Sequence, residues 1–219
     1  MPLILYAHPF SSYCQKALIA FYENDVPFEL RMLSPEHEAN QAAFAELWPI
    51  KRFPLLVEGD RPVPEATVII EYLQVHYPGP VSLIPASPDV ALEVRFLDRF
   101  FDNYVSAPQM RIVFDALRAP GDRDPYGVTL ARQQLDIAYQ WLEDNLGKGP
   151  WAMGDAFTLA DCAAAPSLFY ADWTHPMDGR FPRVAAYRRR LLARPAFARA
   201  VEEARPYRPL FPLGAPDRD

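Results

Sequence analysis

The residues with the most capacity for chemistry fall in two short stretches. In Pro49 to Leu73, PIKRFPLLVEGDRPVPEATVIIEYL, a prolyl bond precedes a short apolar strand and an acid, Glu65, opens a helix. X-Pro is the one kind of peptide bond that adopts cis at modest cost, and a proline at the mouth of a strand gives no ladder hydrogen bond. Phe53-Pro54 is therefore able to turn main-chain groups outward to pair with an extended peptide. Glu65 begins a helix, where free N–H groups and the positive end of the dipole favour an anion. Alone, Pro54 reads more simply as a trans proline on an edge strand and Glu65 as a solvated first-turn acid. Together they suit a small acidic peptide. The second stretch is Ser11-Ser12-Tyr13-Cys14, in which serines stand ready to cap a helix.

The elements that must position these groups follow from periodicity. Leu3 to Ala7 is a short apolar run with no room for a helix before Pro9, hence a buried strand. From Tyr13 to Asn24, Ala17, Leu18, Ala20 and Phe21 recur at helical spacing, with Gln15, Lys16 and Glu23 as the polar complement. Phe28 to Leu33 alternates as a second strand. Ser34 to Leu47 is partly helical, and Pro54 to Glu58, a Gly59-Asp60 turn, another strand and a helix complete the unit. The order β-α-β-α-β-β-α is that of a thioredoxin-like sheet, placed at residues 1–77.

The proline-dense connection 78–88 carries no helical period and serves as the linker. Residues 89–219 read as an all-helical C-terminal domain. Its helical runs are Asp89 to about Arg118, Tyr126 to Leu146, Leu159 to Tyr170, Val184 to Ala193 and Ala196 to Ala204. The fold class is thus an α/β thioredoxin-like N-terminal domain plus an all-α helical C-terminal domain. Thr158 and Asp161 form a capping-box pattern whose role is folding, not catalysis.

Composition narrows the function. A chain of 219 residues with formal net charge -6 and no basic run beyond Arg188-Arg189-Arg190 is no electrostatic nucleic-acid binder. Two cysteines and four histidines form no metal-type cluster, and a reducing compartment fits the cysteine usage. No apolar run reaches membrane-spanning length, and the start MPLILYAHPF lacks a secretory pattern. The expectation is a cytoplasmic protein without a membrane or nucleic-acid partner.

The SSYC stretch, the FPLL pattern, EATVIIEYL, the proline-rich linker and GDAFTLADCAAAP resemble, in order and spacing, the cytosolic glutathione S-transferases of a serine-type, bacterial-like kind. The resemblance covers nearly the whole chain. It implies glutathione as co-substrate, lying across the N-terminal domain with its cysteinyl unit paired to the main chain of Phe53 beside a cis Pro54. It implies that Glu65 and the N–H of Ala66 hold the γ-glutamyl end. The family usually has Ser where Ala66 stands, and Thr67 is the neighbouring hydroxyl that could replace it. Lys51 and Arg52 fall where the glycyl carboxylate is met, with Lys51 favoured.

Glutathione reacts as its thiolate, and a free thiol of pKa about 8.5 is mostly protonated at neutral pH. Serine-type members carry a serine three residues before a cysteine, which matches Ser11 and Cys14. Tyr13 stands where proline is frequent, so Ser12 is retained beside Ser11 as the activating residue. Tyr6 would point to the opposite face from a pocket reached by its neighbours. Cys14, as in the cysteine-type branch, would support thiol transfer instead. Against this, the serine alignment turns it to the core, and Cys162 reads as packing. The resemblance further implies a small hydrophobic electrophile between the domains, near Phe10, Tyr104, Phe114 and Trp173, and a two-fold homodimer. Isomerase activity and a non-catalytic glutathione-binding protein are the alternatives.

Overall fold

The computed structural model describes residues 2–177 and 179–219. Strand β1 (Leu3–Ala7) occupies the apolar run, and α1 (Ser12–Glu23) follows after a short loop. Next come β2 (Glu29–Met32), α2 (Glu38–Leu47), β3 (Leu55–Glu58), β4 (Arg61–Pro64) and α3 (Ala66–His76). The sheet order is β2-β1-β3-β4, with β1 parallel to β2 and antiparallel to β3, and β3 antiparallel to β4. Prolines 62 and 64 lie on β4, the edge where a missing ladder donor is tolerated.

Alternation along the strands divides the packing between two faces. Leu3, Leu5, Ala7 and Leu56 enter the large core with α1 and α3, whereas Tyr6, Leu55 and Val57 meet Phe44 of α2 on the other side. Tyr6 thereby points away from the loop after β1, as its parity requires.

The second half contains α4 (Pro88–Phe100), α5 (Ala107–Ala116), α6 (Pro125–Asn145), α7 (Leu159–Thr174), α8 (Pro182–Leu192) and α9 (Pro195–Ala204). The expected single helix from Asp89 to Arg118 is interrupted by a π-helical turn, Phe101–Ser106, and ends at Ala116. Pro108, which lacks a donor for the carbonyl four residues back, offers a local cause. Helix α7 runs one turn further than its apolar pattern suggested, to Thr174, and every residue in it is buried. Its capping box forms as expected. Asp161 also accepts from the Ala152 N–H at 2.8 Å and the Tyr187 hydroxyl at 2.6 Å, so this acid ties three segments together.

One core cluster runs from Leu3 in the sheet to Phe211 near the C-terminus. Helix α1 packs against α3 on one side and against α7 and α9 on the other, which puts it at the seam. Here the polar complement read for α1 fails: Gln15 is 0 % exposed and Lys16 only 1 %. Gln15 donates to the Pro9 carbonyl at 2.9 Å and to the Tyr170 hydroxyl at 3.1 Å, and Tyr170 donates to the Phe10 carbonyl at 3.0 Å. Arg194 closes the far end through a bidentate pair with Glu23, both contacts at 2.6 Å.

Candidate functional site

The loop between β1 and α1 is set by its own hydrogen bonds. Ser11 N–H donates to the His8 carbonyl at 3.0 Å, and Phe10 N–H to His8 Nδ1 at 3.2 Å. Ser11 is the N-cap of α1, with its Oγ accepting from the Cys14 N–H at 3.4 Å. In that contact the hydroxyl oxygen is the acceptor. Ser12 is the first residue of the helix, and both serines face a cleft between the two halves.

On the opposite bank the Phe53-Pro54 bond is cis, immediately ahead of β3. Glu65 is the N-cap of α3 yet makes no side-chain capping bond, so its carboxylate is not spent on its own helix. Its φ of 73° lies in the left-handed region that L residues avoid, at a cost on the order of 1–3 kcal/mol, and such outliers cluster at ligand sites. Lys51 also holds a positive φ, 57°. Neither Lys51 nor Arg52 makes an ion pair among the described residues, and both border the cleft.

Thus Ser11, Ser12, Lys51, Arg52, Phe53, Pro54, Glu65 and Ala66 all line one cleft of about 710 Å³. The helical half supplies the other wall. Met110, Val113, Phe114 and Leu117 form an apolar stripe, joined by Phe10 and Tyr170 and by Leu210, Phe211 and Pro212 of the C-terminal tail. Arg99, Asp102, Asn103 and Gln109 make up its polar part. The arrangement has a peptide-sized polar bank and an apolar bank meeting at the start of α1.

Two of the aromatic residues expected there are elsewhere. Trp173 is buried behind the cleft, 5.4 Å from the Phe211 ring and 4.6 Å from Phe169. Tyr104 lies off the stripe, exposed against Phe100 at 5.3 Å. Aromatic spacing on a helix does not distinguish core from wall. The tail residues went unnoticed because nothing local in PYRPLFPL says which surface it crosses.

A buried ionic cluster adjoins the cleft, and the sequence offered little sign of it. Lys16 Nζ lies 2.6 Å from Asp98, 2.8 Å from Asp102 and 3.0 Å from the Thr67 hydroxyl. Arg99 Nη2 reaches Asp98 at 2.7 Å, Asp102 at 2.6 Å and Thr67 at 2.5 Å. Burial pushes the Asp102 pKa up, against the nearby Lys16 charge. Burial also opposes the Arg99 charge, but its Asp98 hydrogen bond and the two carboxylates outweigh that and raise its pKa. Thr67 donates to Asp98 at 2.9 Å and does not border the cleft, so it is not the hydroxyl that compensates for Ala66.

Cys14 is fully buried and accepts from the His8 N–H at 3.5 Å. Burial lifts its pKa to about 12, overriding the hydrogen bonds from His8 and Ser11, so the thiol stays neutral. A thiolate at Cys14, which thiol transfer requires, is opposed by this site. Cys162 is likewise buried and pushed up by burial.

Two family descriptions match this chain: "Glutathione S-transferase, N-terminal domain" over residues 5–81 and "Glutathione S-transferase, C-terminal domain" over residues 105–190. The chain is similar to a probable maleylacetoacetate isomerase of Vibrio cholerae, with 29 % identity over 94 % of this chain and 98 % of that one. It is similar to human glutathione S-transferase theta-1, with 29 % identity over 88 % of this chain and 83 % of that one. Among solved structures it resembles a glutathione S-transferase of Methylobacterium radiotolerans in complex with glutathione sulfonate, at a TM-score of 0.79 and 28 % identity, covering 92 % and 95 % of the two chains. With both halves matched, and with a cis-prolyl edge, an uncapped acid and paired serines around one cleft, this chain belongs to the glutathione S-transferase family.

Proposed function

We propose that the chain binds glutathione across its N-terminal half, lowers the pKa of the bound thiol with Ser11, and directs the thiolate at a small hydrophobic electrophile on the helical wall. The observation that carries this reading is the convergence on one cleft of Ser11 and Ser12, the cis Phe53-Pro54 edge and the start of α3. The Phe53 main chain would pair with the cysteinyl unit, Glu65 would face the γ-glutamyl ammonium, and Lys51 and Arg52 would meet the glycyl carboxylate. Ser11 is favoured over Ser12 because its oxygen is already oriented by the helix cap. Each unit by which the thiol pKa falls is worth about 1.4 kcal/mol. Holding both reactants in one cleft supplies a further advantage of orientation.

The test is the pH titration of bound glutathione thiolate, followed by its ultraviolet absorbance. Ser11→Ala is expected to raise the apparent thiol pKa by about one unit or more and to slow conjugation at neutral pH about tenfold or more. An unchanged titration in Ser11→Ala together with a shifted one in Ser12→Ala would transfer the role to Ser12; no shift in either would sink the reading.

The similarity to a probable maleylacetoacetate isomerase favours a second reading, in which glutathione adds to a double bond and leaves again after rotation. Consumption of glutathione separates the two, because an isomerase returns it unchanged. A non-catalytic binder would take up glutathione and turn over neither kind of substrate. We place the protein in the reducing cytoplasm, a setting supported by two buried, unpaired cysteines. No helix among the described residues is long and apolar enough to cross a membrane.

A further inference from the structure

The seat for the γ-glutamyl end lacks a hydroxyl at position 66, and Thr67 is committed to Asp98. A different side chain is placed to supply the contact. Tyr13 is the second residue of α1, partly buried, and borders the same cleft as Glu65, Ala66, Arg99 and Asp102. Its hydroxyl has no hydrogen-bond partner among the described residues. Arg99, which reaches the cleft from the helical half, uses Nε and Nη2 on Thr67, Asp98 and Asp102 and keeps Nη1 outside those contacts.

We propose that the Tyr13 hydroxyl and Arg99 Nη1, together with the Ala66 N–H, hold the α-carboxylate of the γ-glutamyl residue. This rests on the glutathione-binding reading above. The division of charge supports it: Tyr13, Ala66 and Arg99 bring donors to the cleft for the carboxylate, and Glu65 and Asp102 bring carboxylates to it for the ammonium. Tyr13 keeps its phenolic proton near neutral pH and so has it to donate. Burial lifts its pKa to about 12, with Asp102 and Glu65 adding to that effect and Arg99 and Arg52 opposing it. Tyr13 and these four charged residues line one cleft, Arg52 and Glu65 from the peptide edge and Arg99 and Asp102 from the helical wall. Because Arg99 belongs to the helical half, the peptide's N-terminal end would bridge the seam between the halves.

The experiment measures calorimetric binding of two ligands to the full chain and to Tyr13→Phe, which keeps the ring and its packing. The first ligand is glutathione; the second is 4-aminobutyryl-cysteinyl-glycine, which lacks only the α-carboxylate. Tyr13→Phe is expected to weaken glutathione about tenfold, the scale of one hydrogen bond to a charged group, and to leave the second ligand's affinity unchanged. Unaltered glutathione affinity, or an equal loss for both ligands, overturns the proposal while leaving glutathione binding itself in place. Failure of the unmodified chain to bind glutathione at all overturns both readings.

Discussion

Ser11 and Cys14 show how one turn of chain separates a group that faces the cleft from one that faces the core. The serine caps α1 from outside the helix and faces the cleft, whereas the cysteine lies inside the first turn and faces the core. Cys14→Ala is therefore expected to retain glutathione-dependent turnover at neutral pH within about twofold, since the thiol is not ionised there; assays of purified variant and parent side by side check this. The raised thiol pKa also fixes a sign. In the unfolded chain the thiol ionises near its usual value, but in the folded chain only near about 12. Folding stability is indifferent to this group below the unfolded value and falls as pH rises above it, because only the unfolded state gains by releasing the proton. The stability gap between parent and Cys14→Ala, measured by urea unfolding, should accordingly narrow between neutral pH and about pH 10. The Phe53-Pro54 edge, Glu65 and the serine loop of the candidate site could be read from residue types and spacing, because these groups lie close in sequence to the turns that present them, whereas Lys51, Arg52 and Ala66 entered only through the family resemblance. Lys16 could not be read that way. Its partners Asp98 and Asp102 are remote in the chain, and without them a lysine on an amphipathic helix defaults to water.

At the scale of elements, periodicity and proline punctuation located the strands and helices because each buries one apolar face. The π-helical turn at Phe101–Ser106 escaped such reading, since an added residue shifts the register without interrupting the apolar pattern. This same segment carries Asp102 and Asn103 into the cleft. Asp161 illustrates the reverse case, in which a local motif understated a tertiary role. As a cap alone its loss would cost about 1 kcal/mol. The structure gives it the Thr158 N–H at 2.8 Å, the Ala152 N–H at 2.8 Å and the Tyr187 hydroxyl at 2.6 Å, all buried. Asp161→Ala would strand these donors, and a loss of about 3 kcal/mol or more is expected. An unfolding free energy within about 1 kcal/mol of the parent's would return Asp161 to the status of a simple cap.

At the scale of the molecule, glutathione S-transferase family members are typically dimers, and a two-fold homodimer of this chain is proposed on the exposed apolar face of α3 and α4. Val68 and Val75 on α3 and Leu92 and Phe96 on α4 are exposed, and the Arg95–Glu71 pair at 2.7 Å links the two helices beside them. A charge on such a face should prevent association, so Phe96→Asp is expected to sediment as a monomer while the parent sediments at twice the mass. A monomeric parent would remove the proposal. The shared core has another consequence. In the proposed function the two halves would divide the chemistry, one toward the peptide and the other toward the electrophile, yet α1 is packed by both, with Lys16 and Gln15 fastened to residues of the helical half. Exchanging the helical half for a relative's, as a means of changing substrate, would graft a new wall onto a mismatched keel. Freedom to diversify lies instead in residues that touch the cleft without touching that joint, such as Leu117 and Leu210.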